Sequence, residues 1–429
     1  MSAPQPQPNP TLEPAPLPRV REFESLAYGL FLHWGLYSLV GAGEWALKHR
    51  SIPEARYRAL MQQFTAADWK PRELVRFARR VGFRYVCVTA RHHDGFSLYD
   101  TRGLSDWDAP HSAAGRDLVA EFADACHGEG VKMFLYHTTL DWQHPAFDGT
   151  EAGDWERYLE YLNASVEILA TQYGPVAGFW FDGKWARRDR DWNEGALYAV
   201  CRKHQPDCII VNNLGKHARG KASHAEVDVV TFEQGRPKRL RRRGRDKYVA
   251  AEMNDTVGSH WGIATRDFSH KGPGEIIHTL AACRRHGANL LLNVGPTAGG
   301  AIPAYEAALL EVVGRWISTC AGRWLYTARP AELQTRGSDF VLRDGTDFYY
   351  FLHHLPTRGN SLIPTGESGS GLKTVGGLRI PVRDVRWTDN NERLAFSQDV
   401  DRGMLTFRAN EHPYGEQFVV RVARINAQG

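Results

Sequence analysis

One unit is repeated along this chain of 429 residues: a short apolar run ends abruptly in polar or aromatic residues, and a helical stretch usually follows. The apolar runs are rich in β-branched and aromatic residues, which predicts strands at 29–32, 85–90, 132–136, 177–181, 208–211, 227–232, 248–251 and 289–294. The stretches between them have an amphipathic period, which predicts helices at 67–80, 116–129, 154–172, 192–204, 274–286 and 303–321. Eight strands alternating with helices predict an α/β fold, a (β/α)8 TIM-like barrel.

Two details of this pattern refine the fold prediction. The sixth gap is a short basic segment without a helical period, so we expect no helix there. A doubly wound open sheet, the competing fold, calls for a Gly-rich phosphate loop after an early strand, and the sequence has none. The barrel is therefore the better prediction.

Polar side chains follow the predicted strands where they end. The active site of such a barrel forms at the C-terminal ends of its strands, so these side chains are expected around one mouth. They are His33-Trp34-Gly35, Arg91-His92-His93-Asp94, His137, Asp182-Gly183, Asn212-Asn213, Glu233, Glu252 and Asn293. One such residue alone is an ordinary strand cap, whereas their recurrence at eight strands predicts a functional mouth.

The composition and the pattern of the sequence change at both ends of the barrel region. Residues 1–18 are rich in proline, which predicts a disordered leader, and the barrel domain is assigned to 19–329. After Pro330, short strand candidates at 340–342, 348–352, 378–382, 404–407 and 418–422 are separated by Gly, Asn and Asp turns. Residues 330–429 are thus predicted to form a small antiparallel β-sandwich. We favour a supporting role for this domain over a carbohydrate-binding one.

Composition excludes several classes of protein. The net charge of +4 is small for this length and does not predict binding to nucleic acid. No apolar run is long enough to span a membrane, and the N-terminus lacks the features of a secretory signal. The six cysteines have no C-x-x-C spacing and lie in predicted element interiors, which predicts free thiols and a cytoplasmic location. Composition leaves open whether the chain forms a homo-oligomer.

Three carboxyl groups at strand ends are candidates for glycoside hydrolysis, which needs two flanking the scissile bond. Asp182 ends the fourth predicted strand, and Gly183 leaves its carboxylate open to a ligand; a cap for the following loop is the alternative. Glu252 ends the seventh predicted strand in an apolar run, where burial raises the pKa as a general acid requires. Glu233, at the end of the sixth, is its rival, unless it pairs with the neighbouring basic segment.

A sugar pocket also needs hydrogen-bond donors and aromatic faces. His33, His92, His93 and Asn293 supply the donors, and Trp34, Trp45, Trp180 and Tyr136 supply the faces. The pair His92-His93 suggests a metal site, but the H-x-H and H-E-x-x-H patterns of such sites are absent. We therefore expect no metal and no cofactor.

Four ordered segments resemble glycoside hydrolase family 29, the α-L-fucosidases. They are Gly29-Leu-Phe-Leu-His-Trp-Gly-Leu-Tyr-Ser38, Arg91-His-His-Asp-Gly-Phe96, Trp180-Phe-Asp-Gly183 and Leu290-Leu-Leu-Asn-Val-Gly-Pro-Thr297. The resemblance implies Asp182 as the nucleophile. It also implies that a bound fucose contacts His33, Glu44, Trp45, His92, His93, Tyr136, Trp180 and Trp261. Glu252 falls where many members carry a Trp-Glu acid/base segment.

The sequence departs from the family pattern at several positions. Ala251 stands where the Trp precedes that Glu, and Leu214 stands where many members place a sugar-binding Arg. His260-Trp261-Gly262-Ile263 replaces Ser-Trp-Gly-Tyr. These departures make Asp182 a firmer assignment than Glu252 and leave the linkage preference undetermined.

The resulting hypothesis is a retaining exo-glycosidase that acts on a fucosylated oligosaccharide or glycoconjugate by double displacement. The alternatives are a glycosidase for a sugar of similar configuration such as an α-L-galactoside, a non-catalytic sugar-binding barrel, and a metal-dependent hydrolase. Residues 236–247 contain eight Lys or Arg in twelve positions. They form either an ordinary solvated loop, which we favour, or a binding site for sulfated glycans.

Overall fold

Eight parallel strands close into a barrel in the computed structural model, which describes residues 13–358 and 371–428. The strands follow one another in sequence order: β1 Tyr28–Leu32, β2 Tyr85–Arg91, β3 Lys132–Thr138, β4 Gly178–Asp182, β5 Ile209–Asn213, β6 Val229–Thr231, β7 Ala250–Thr256 and β8 Ala288–Val294. Every residue of these strands except Lys132 is buried. Because parallel strands are covered on both faces, they appear in the sequence as nearly continuous apolar runs, and the predicted barrel is confirmed.

Long helices occur after six of the strands. They are Pro71–Arg80, Leu118–Glu129, Asp154–Gln172, Glu194–His204, Pro273–Arg285 and Ala304–Trp316. The described residues between β6 and β7 contain no helix, as the basic composition of that segment predicted. Helix Leu118–Glu129 shows how sequence sets the ends: the Asp117 carboxylate accepts a hydrogen bond from the Ala120 N–H, and Gly130 adopts the left-handed conformation that stops the helix.

Shorter segments complete this part of the chain. The short α-helices are Tyr37–Val40, Ala46–His49, Glu54–Arg58 and Trp324–Thr327, and a π-helical turn covers Ile317–Ala321. Three 3-10 turns cover Ala59–Gln63, Lys184–Ala186 and Lys216–Ala218. The last two follow β4 and β5 directly and therefore lie at the C-terminal end of the barrel.

A helix at Pro18–Leu26 is absent from the sequence prediction. Pro18 occupies the first helical position, where proline is tolerated, and the buried Phe23 packs against Tyr85 and Phe134 with ring centroids 5.7 and 5.9 Å apart. Tyr85 begins β2, so the helix closes the N-terminal end of the barrel. The predicted leader of residues 1–18 therefore ends in a helix at Pro18, and its first twelve residues lie outside the described part of the chain.

Strand β7 is longer than predicted, and this changes the position of Glu252. The strand runs to Thr256 instead of ending at Ala251, so Glu252 is an interior residue of the strand and the prediction that it ends the strand is wrong. Polar residues continue β7 because alternate side chains face the inside of the barrel: Ala250 belongs to the interior cluster and Asn254 lines the cavity at the mouth.

The C-terminal part contains two antiparallel sheets. The first has the order β13-β16-β11-β10-β9 and the second β12-β15-β14. The strands are β9 Arg329–Pro330, β10 Phe340–Asp344, β11 Asp347–His353, β12 Gly371–Gly376, β13 Val382–Trp387, β14 Phe396–Asp399, β15 Met404–Ala409 and β16 Val420–Ala427. Both sheets contribute to one buried cluster that includes Tyr350, Trp387 and Phe407. The predicted antiparallel domain is confirmed, although residues 378–381 of the candidate at 378–382 connect β12 to β13, and only Val382 belongs to a strand.

Contacts divide the described chain into two units. The first contains the residues up to His270 together with Asn289–Ala307, and the second contains Lys271–Ala288 together with the residues from Ala308 onward. Helix Pro273–Arg285 thus groups with the C-terminal sheets.

All six cysteines are buried free thiols, as predicted. Among the described residues, no helix is both long and apolar enough to cross a bilayer.

Candidate active site

A cavity of about 270 Å³ lies at the C-terminal ends of the barrel strands. All of the residues that line it belong to the first unit. The lining consists of Phe31, His33, Trp45, His92, His93, Tyr136, Trp180, Asp182, Trp185, Arg188, Asn213, Leu214, Gly215, Lys216, His217, Glu233, Asn254 and Trp261. Seven of the predicted substrate contacts are in this set, together with Asp182 and Glu233.

The Asp182 carboxylate is held from several sides. The Tyr136 hydroxyl donates to Oδ2 at 3.1 Å, and His93 Nε2 lies 3.4 Å from the same oxygen. Trp185 Nε1 and Asn213 Nδ2 donate to Oδ1 at 3.1 and 3.2 Å. Asp182 is therefore oriented by neighbours that leave it at the wall of an open cavity, as a nucleophile requires.

The backbone around Asp182 is fixed by strand pairing. Asp182 is the last residue of β4 and pairs with Thr138 of β3 and Asn213 of β5. Its carbonyl accepts hydrogen bonds from the Thr139 N–H and hydroxyl at 2.6 and 2.9 Å. Gly183 then turns the chain with φ 106°, where a side chain would be strained and would press on the backbone of Leu140.

Asn213 joins Asp182 to a second carboxyl group. Its Nδ2 donates to Asp182 at 3.2 Å and to Glu233 Oε2 at 2.9 Å, so the two carboxyl oxygens are at most about 6 Å apart. The Thr231 hydroxyl donates to Asn213 Oδ1 at 2.8 Å, which fixes the amide with its nitrogen toward the carboxylates. A retaining glycosidase needs a separation of about 5–5.5 Å, and this arrangement is compatible with it.

The surroundings shift the pKa values of Asp182 and Glu233 in opposite directions. Burial alone raises the pKa of Asp182, but hydrogen bonds from His93, Trp185 and Tyr136 outweigh it and hold the pKa below its usual value. Burial raises the pKa of Glu233, with the negative charge of Asp182 adding to it against the hydrogen bond from Asn213. One group is therefore disposed to be ionised and the other to hold a proton, as an acid–nucleophile pair requires.

Glu252 is outside this cavity. It is fully buried, and its two oxygens accept hydrogen bonds from the Tyr85 hydroxyl at 2.6 Å and from Trp180 Nε1 at 2.8 Å. Burial raises its pKa to about 7, as the sequence suggested, but the raised pKa belongs to a group beneath the cavity. Trp180 stacks on Tyr136 with centroids 5.6 Å apart, so Glu252 supports the aromatic rings beside Asp182.

The histidines of the cavity are suited to bind hydroxyl groups. Burial lowers the pKa of His33 to about 3 and that of His92 well below its usual value, so both rings are neutral near neutral pH. Asn293 donates to the Trp261 carbonyl at 2.7 Å, which leaves its Oδ1 to accept from His33 Nδ1 at 2.6 Å. His33 Nε2 is therefore a free acceptor for a ligand hydroxyl.

Three residues predicted for the sugar pocket do not line the cavity: Trp34, Asn293 and Glu44. Trp34 is buried and stacks on Trp69 with ring centroids 4.6 Å apart, and Asn293 contacts His33 instead. Glu44 is the one of the three that the family resemblance implied as a fucose contact. It is buried, and its Oε2 accepts hydrogen bonds from the Trp261 and Gly262 N–H groups at 3.0 and 2.9 Å. Glu44 thus holds the segment that carries Trp261, which does line the cavity.

The sequence prediction missed several lining residues. Asn213 was noted as a strand-end residue without a role, and its position after β5 beside Asp182 was the available signal. Trp185 follows the nucleophile candidate by three residues and stacks on Trp45 with centroids 5.8 Å apart. The remaining missed residues are Phe31, Gly215, Asn254 and the outer residues Arg188, Lys216 and His217, none of which carried a sequence pattern that pointed to the mouth. Leu214 was noted only as a departure from the family pattern.

The histidines at the mouth do not belong to a metal-ligand cluster of described residues. Across residues 13–358 and 371–428, no three His, Cys, Asp or Glu side chains are grouped as a metal site would require. In the His92-His93 pair that suggested a metal, His93 Nδ1 is hydrogen-bonded to the Thr138 hydroxyl at 2.7 Å.

Known proteins resemble this chain over most of its length. A family model described as Alpha-L-fucosidase matches residues 6–321. Tissue alpha-L-fucosidase of Rattus norvegicus is 28% identical, with 80% of this chain and 78% of that protein covered; the Bos taurus protein is 26% identical, with 89% and 84% covered. Alpha-L-fucosidase isoenzyme 1 from Paenibacillus thiaminolyticus has a TM-score of 0.81 at 27% identity, with 96% of this chain and 99% of that chain covered. A Bacteroides thetaiotaomicron alpha-L-fucosidase shares the fold, with a TM-score of 0.81 at 21% identity, covering 100% of this chain and 98% of that one.

Proposed function

The chain belongs to the α-L-fucosidase family, glycoside hydrolase family 29, and we propose that Asp182 and Glu233 are the residues with which it hydrolyses α-L-fucosides. It is a retaining glycoside hydrolase, and its substrates are fucosylated oligosaccharides or glycoconjugates. The observation that carries the assignment is the Asn213 amide, which hydrogen-bonds both carboxyl groups at the wall of one cavity.

Glycosylation is the first of two displacements. The Asp182 carboxylate attacks the anomeric carbon of the fucoside, and the bond between that carbon and the glycosidic oxygen breaks. Glu233 donates its proton to the departing oxygen, so the leaving group departs as a neutral alcohol. The products are a glycosyl ester on Asp182 and an ionised Glu233.

Deglycosylation reverses these roles. The ionised Glu233 removes a proton from a water molecule, whose oxygen attacks the anomeric carbon and displaces Asp182 as a carboxylate. Two inversions give fucose with the configuration of the substrate. Glu233 is protonated again and Asp182 ionised again, so the site returns to its initial state.

The other lining residues bind the sugar. His33 and His92 are neutral, so they exchange hydrogen bonds with hydroxyl groups without competing for the catalytic proton. The rings of Trp45, Trp180 and Trp261 line the cavity and offer faces to the C–H surfaces of a pyranose.

Glu233 is preferred to Glu252 because of access. A general acid must come within hydrogen-bond reach of the glycosidic oxygen, and Glu233 lines the cavity. Glu252 has no exposed surface, and both of its oxygens are occupied by Tyr85 and Trp180. A raised pKa alone is not sufficient for the acid role.

Product stereochemistry tests this proposal. The purified chain is incubated with 4-nitrophenyl α-L-fucoside, and the anomeric proton of the released fucose is followed by NMR before mutarotation. We expect α-L-fucose first; β-L-fucose first, or no hydrolysis, would contradict the proposal. The α-L-galactoside, which carries one additional hydroxyl, serves as the comparison. We expect it to have a lower kcat/KM, and equal values would favour the broader specificity.

A further inference from the structure

The position of Glu233 indicates which part of the cavity receives the leaving group. If Glu233 protonates the glycosidic oxygen, as proposed above, the leaving-group sugar must lie beside it. Residues 214–217 follow β5 and line the cavity with Glu233. Among the charges that act on Glu233, Lys216 is a cation that opposes the effect of burial on its pKa. Lys216 therefore lies close to the place where the leaving group departs.

The charge of the cavity lining outside the catalytic pair is entirely positive. Asp182 and Glu233 are the only carboxylates among the lining residues, whereas Arg188 and Lys216 add two cations. Both cations are exposed, and neither makes an ion pair or a hydrogen bond with any residue that the structure describes. Two cations without an ion-pair partner among the described residues thus line the cavity, and Lys216 acts on Glu233 only through its charge.

Nearby carboxylates are already paired with other cations. Asp189 interacts with Arg187 and Arg190 at 3.3 and 3.6 Å, and Glu194 is paired with Lys184. Arg188 and Lys216 are therefore left available for a ligand. Their loops begin at different strands, since Arg188 follows β4 and Lys216 follows β5.

Two cations of the basic segment 236–247 make their contacts at the end of the barrel opposite the mouth. Lys247 pairs at 2.8 Å with Asp228, which directly precedes β6, and Arg242 donates to the Val249 carbonyl at 2.9 Å, just before β7 begins. Both contacts are therefore at the N-terminal end of the barrel. Arg188 and Lys216 are therefore better placed than these two residues of the segment to bind an acidic glycan at the mouth.

We infer that Arg188 and Lys216 form a leaving-group subsite that selects fucosides whose neighbouring sugar carries an anionic substituent, a sulfate or a carboxylate. The inference rests on the proposed function, because Glu233 defines where the leaving group lies. Exposed cations bind either anion mainly by charge, so the effect is expected to be modest and sensitive to salt.

Three disaccharides that differ only at one carbon test the inference: fucosylglucose, its 6-sulfate and fucosylglucuronic acid, each in the linkage that the enzyme cleaves fastest. The measured quantity is the kcat/KM of each anionic substrate divided by that of the neutral one. For the unmodified chain we expect a ratio of about 5 to 10 at low ionic strength, falling toward one at about 0.5 M salt. Arg188→Ala and Lys216→Ala are each expected to lower the ratio about threefold, mainly through KM.

Two exposed arginines serve as matched controls. Arg190→Ala lies in the same loop as Arg188 and Arg243→Ala lies in the basic segment, and neither residue lines the cavity. Both are expected to leave the ratio unchanged. A ratio of one or less in the unmodified chain, or a ratio that Arg243→Ala lowers and the two lining variants do not, would overturn the inference. Hydrolysis of the neutral disaccharide reports on the proposed function separately. A higher ratio for one anion would identify the preferred substituent.

Discussion

Asp182, Glu233 and Glu252 are three buried or partly buried carboxyl groups with different properties, and burial, hydrogen bonding and access to the cavity together explain the difference. Asp182 receives bonds from several donors and has a lowered pKa, whereas Glu233 receives one bond from Asn213 and has a raised pKa. Glu252 has a raised pKa with no route to the cavity. The chemical role of a carboxyl group thus depends on access as well as on its pKa.

The first prediction compares Glu233→Gln with Glu252→Gln. Loss of the general acid is expected to lower kcat/KM about 10²–10⁴-fold for substrates with poor leaving groups, and much less for an activated aryl fucoside that leaves without a proton. Added azide is expected to react with the Glu233→Gln glycosyl-enzyme and give α-L-fucosyl azide. Kinetics with two leaving groups and NMR of the azide product are the measurements.

Glu252→Gln is the control for this comparison. It places an amide donor against the Tyr85 hydroxyl or the Trp180 N–H, so we expect lower stability without dependence on the leaving group and without an azide product. If Glu252→Gln shows the leaving-group dependence and Glu233→Gln does not, the acid role belongs to Glu252.

The pH profile separates the two residues further. In the proposed mechanism, activity requires an ionised Asp182, so it is lost as pH falls through that lowered pKa. It also requires a protonated Glu233, so it is lost as pH rises through that raised pKa. Glu233→Gln should remove the basic limb of kcat/KM for the activated substrate, whereas Glu252→Gln should retain it.

At the scale of elements, the barrel strands were predictable because they are buried on both faces and read as apolar runs. The end of β7 was not predictable, since Glu252 and Asn254 are polar residues that face the barrel interior within a strand. The pairing of β4 with β5, which brings Asn213 to Asp182, depends on register and therefore could not be obtained from spacing. The four segments that resemble the family pointed to Asp182 and the histidines as site residues. The same resemblance favoured Glu252 over Glu233 as the general acid.

The helix Pro18–Leu26 was missed because proline dominates the preceding sequence.

A further prediction concerns this helix. Phe23 is 1% exposed against Tyr85 and Phe134, so Phe23→Ala should lower the free energy of unfolding by about 3–5 kcal/mol. Denaturant unfolding followed by circular dichroism is the measurement. Arg21→Ala, an exposed position on the same helix, should change stability little. A loss below about 1 kcal/mol for Phe23→Ala would show that the helix does not close the barrel.

At the scale of the molecule, the residues that line the cavity all belong to the first unit. The supporting role assigned to the C-terminal domain stays a prediction. The net charge of +4 is small, yet individual cations differ in their surroundings. Arg242 and Lys247 of segment 236–247 make ion pairs near the N-terminal end of the barrel, whereas Arg188 and Lys216 line the mouth without an ion-pair partner among the described residues. The charges at the site therefore indicate more about the ligand than the net charge of the whole chain does.

Covalent trapping distinguishes Asp182 from every other carboxyl group as the nucleophile. A 2-deoxy-2-fluoro-α-L-fucosyl donor with a good leaving group slows both displacements, but its leaving group favours the first, so the glycosyl-enzyme accumulates. We expect one added 2-fluorofucosyl group per chain, and peptide mapping by mass spectrometry should locate it on Asp182. A label on any other carboxylate, or an intact chain that turns the donor over without acquiring a label, would contradict the account.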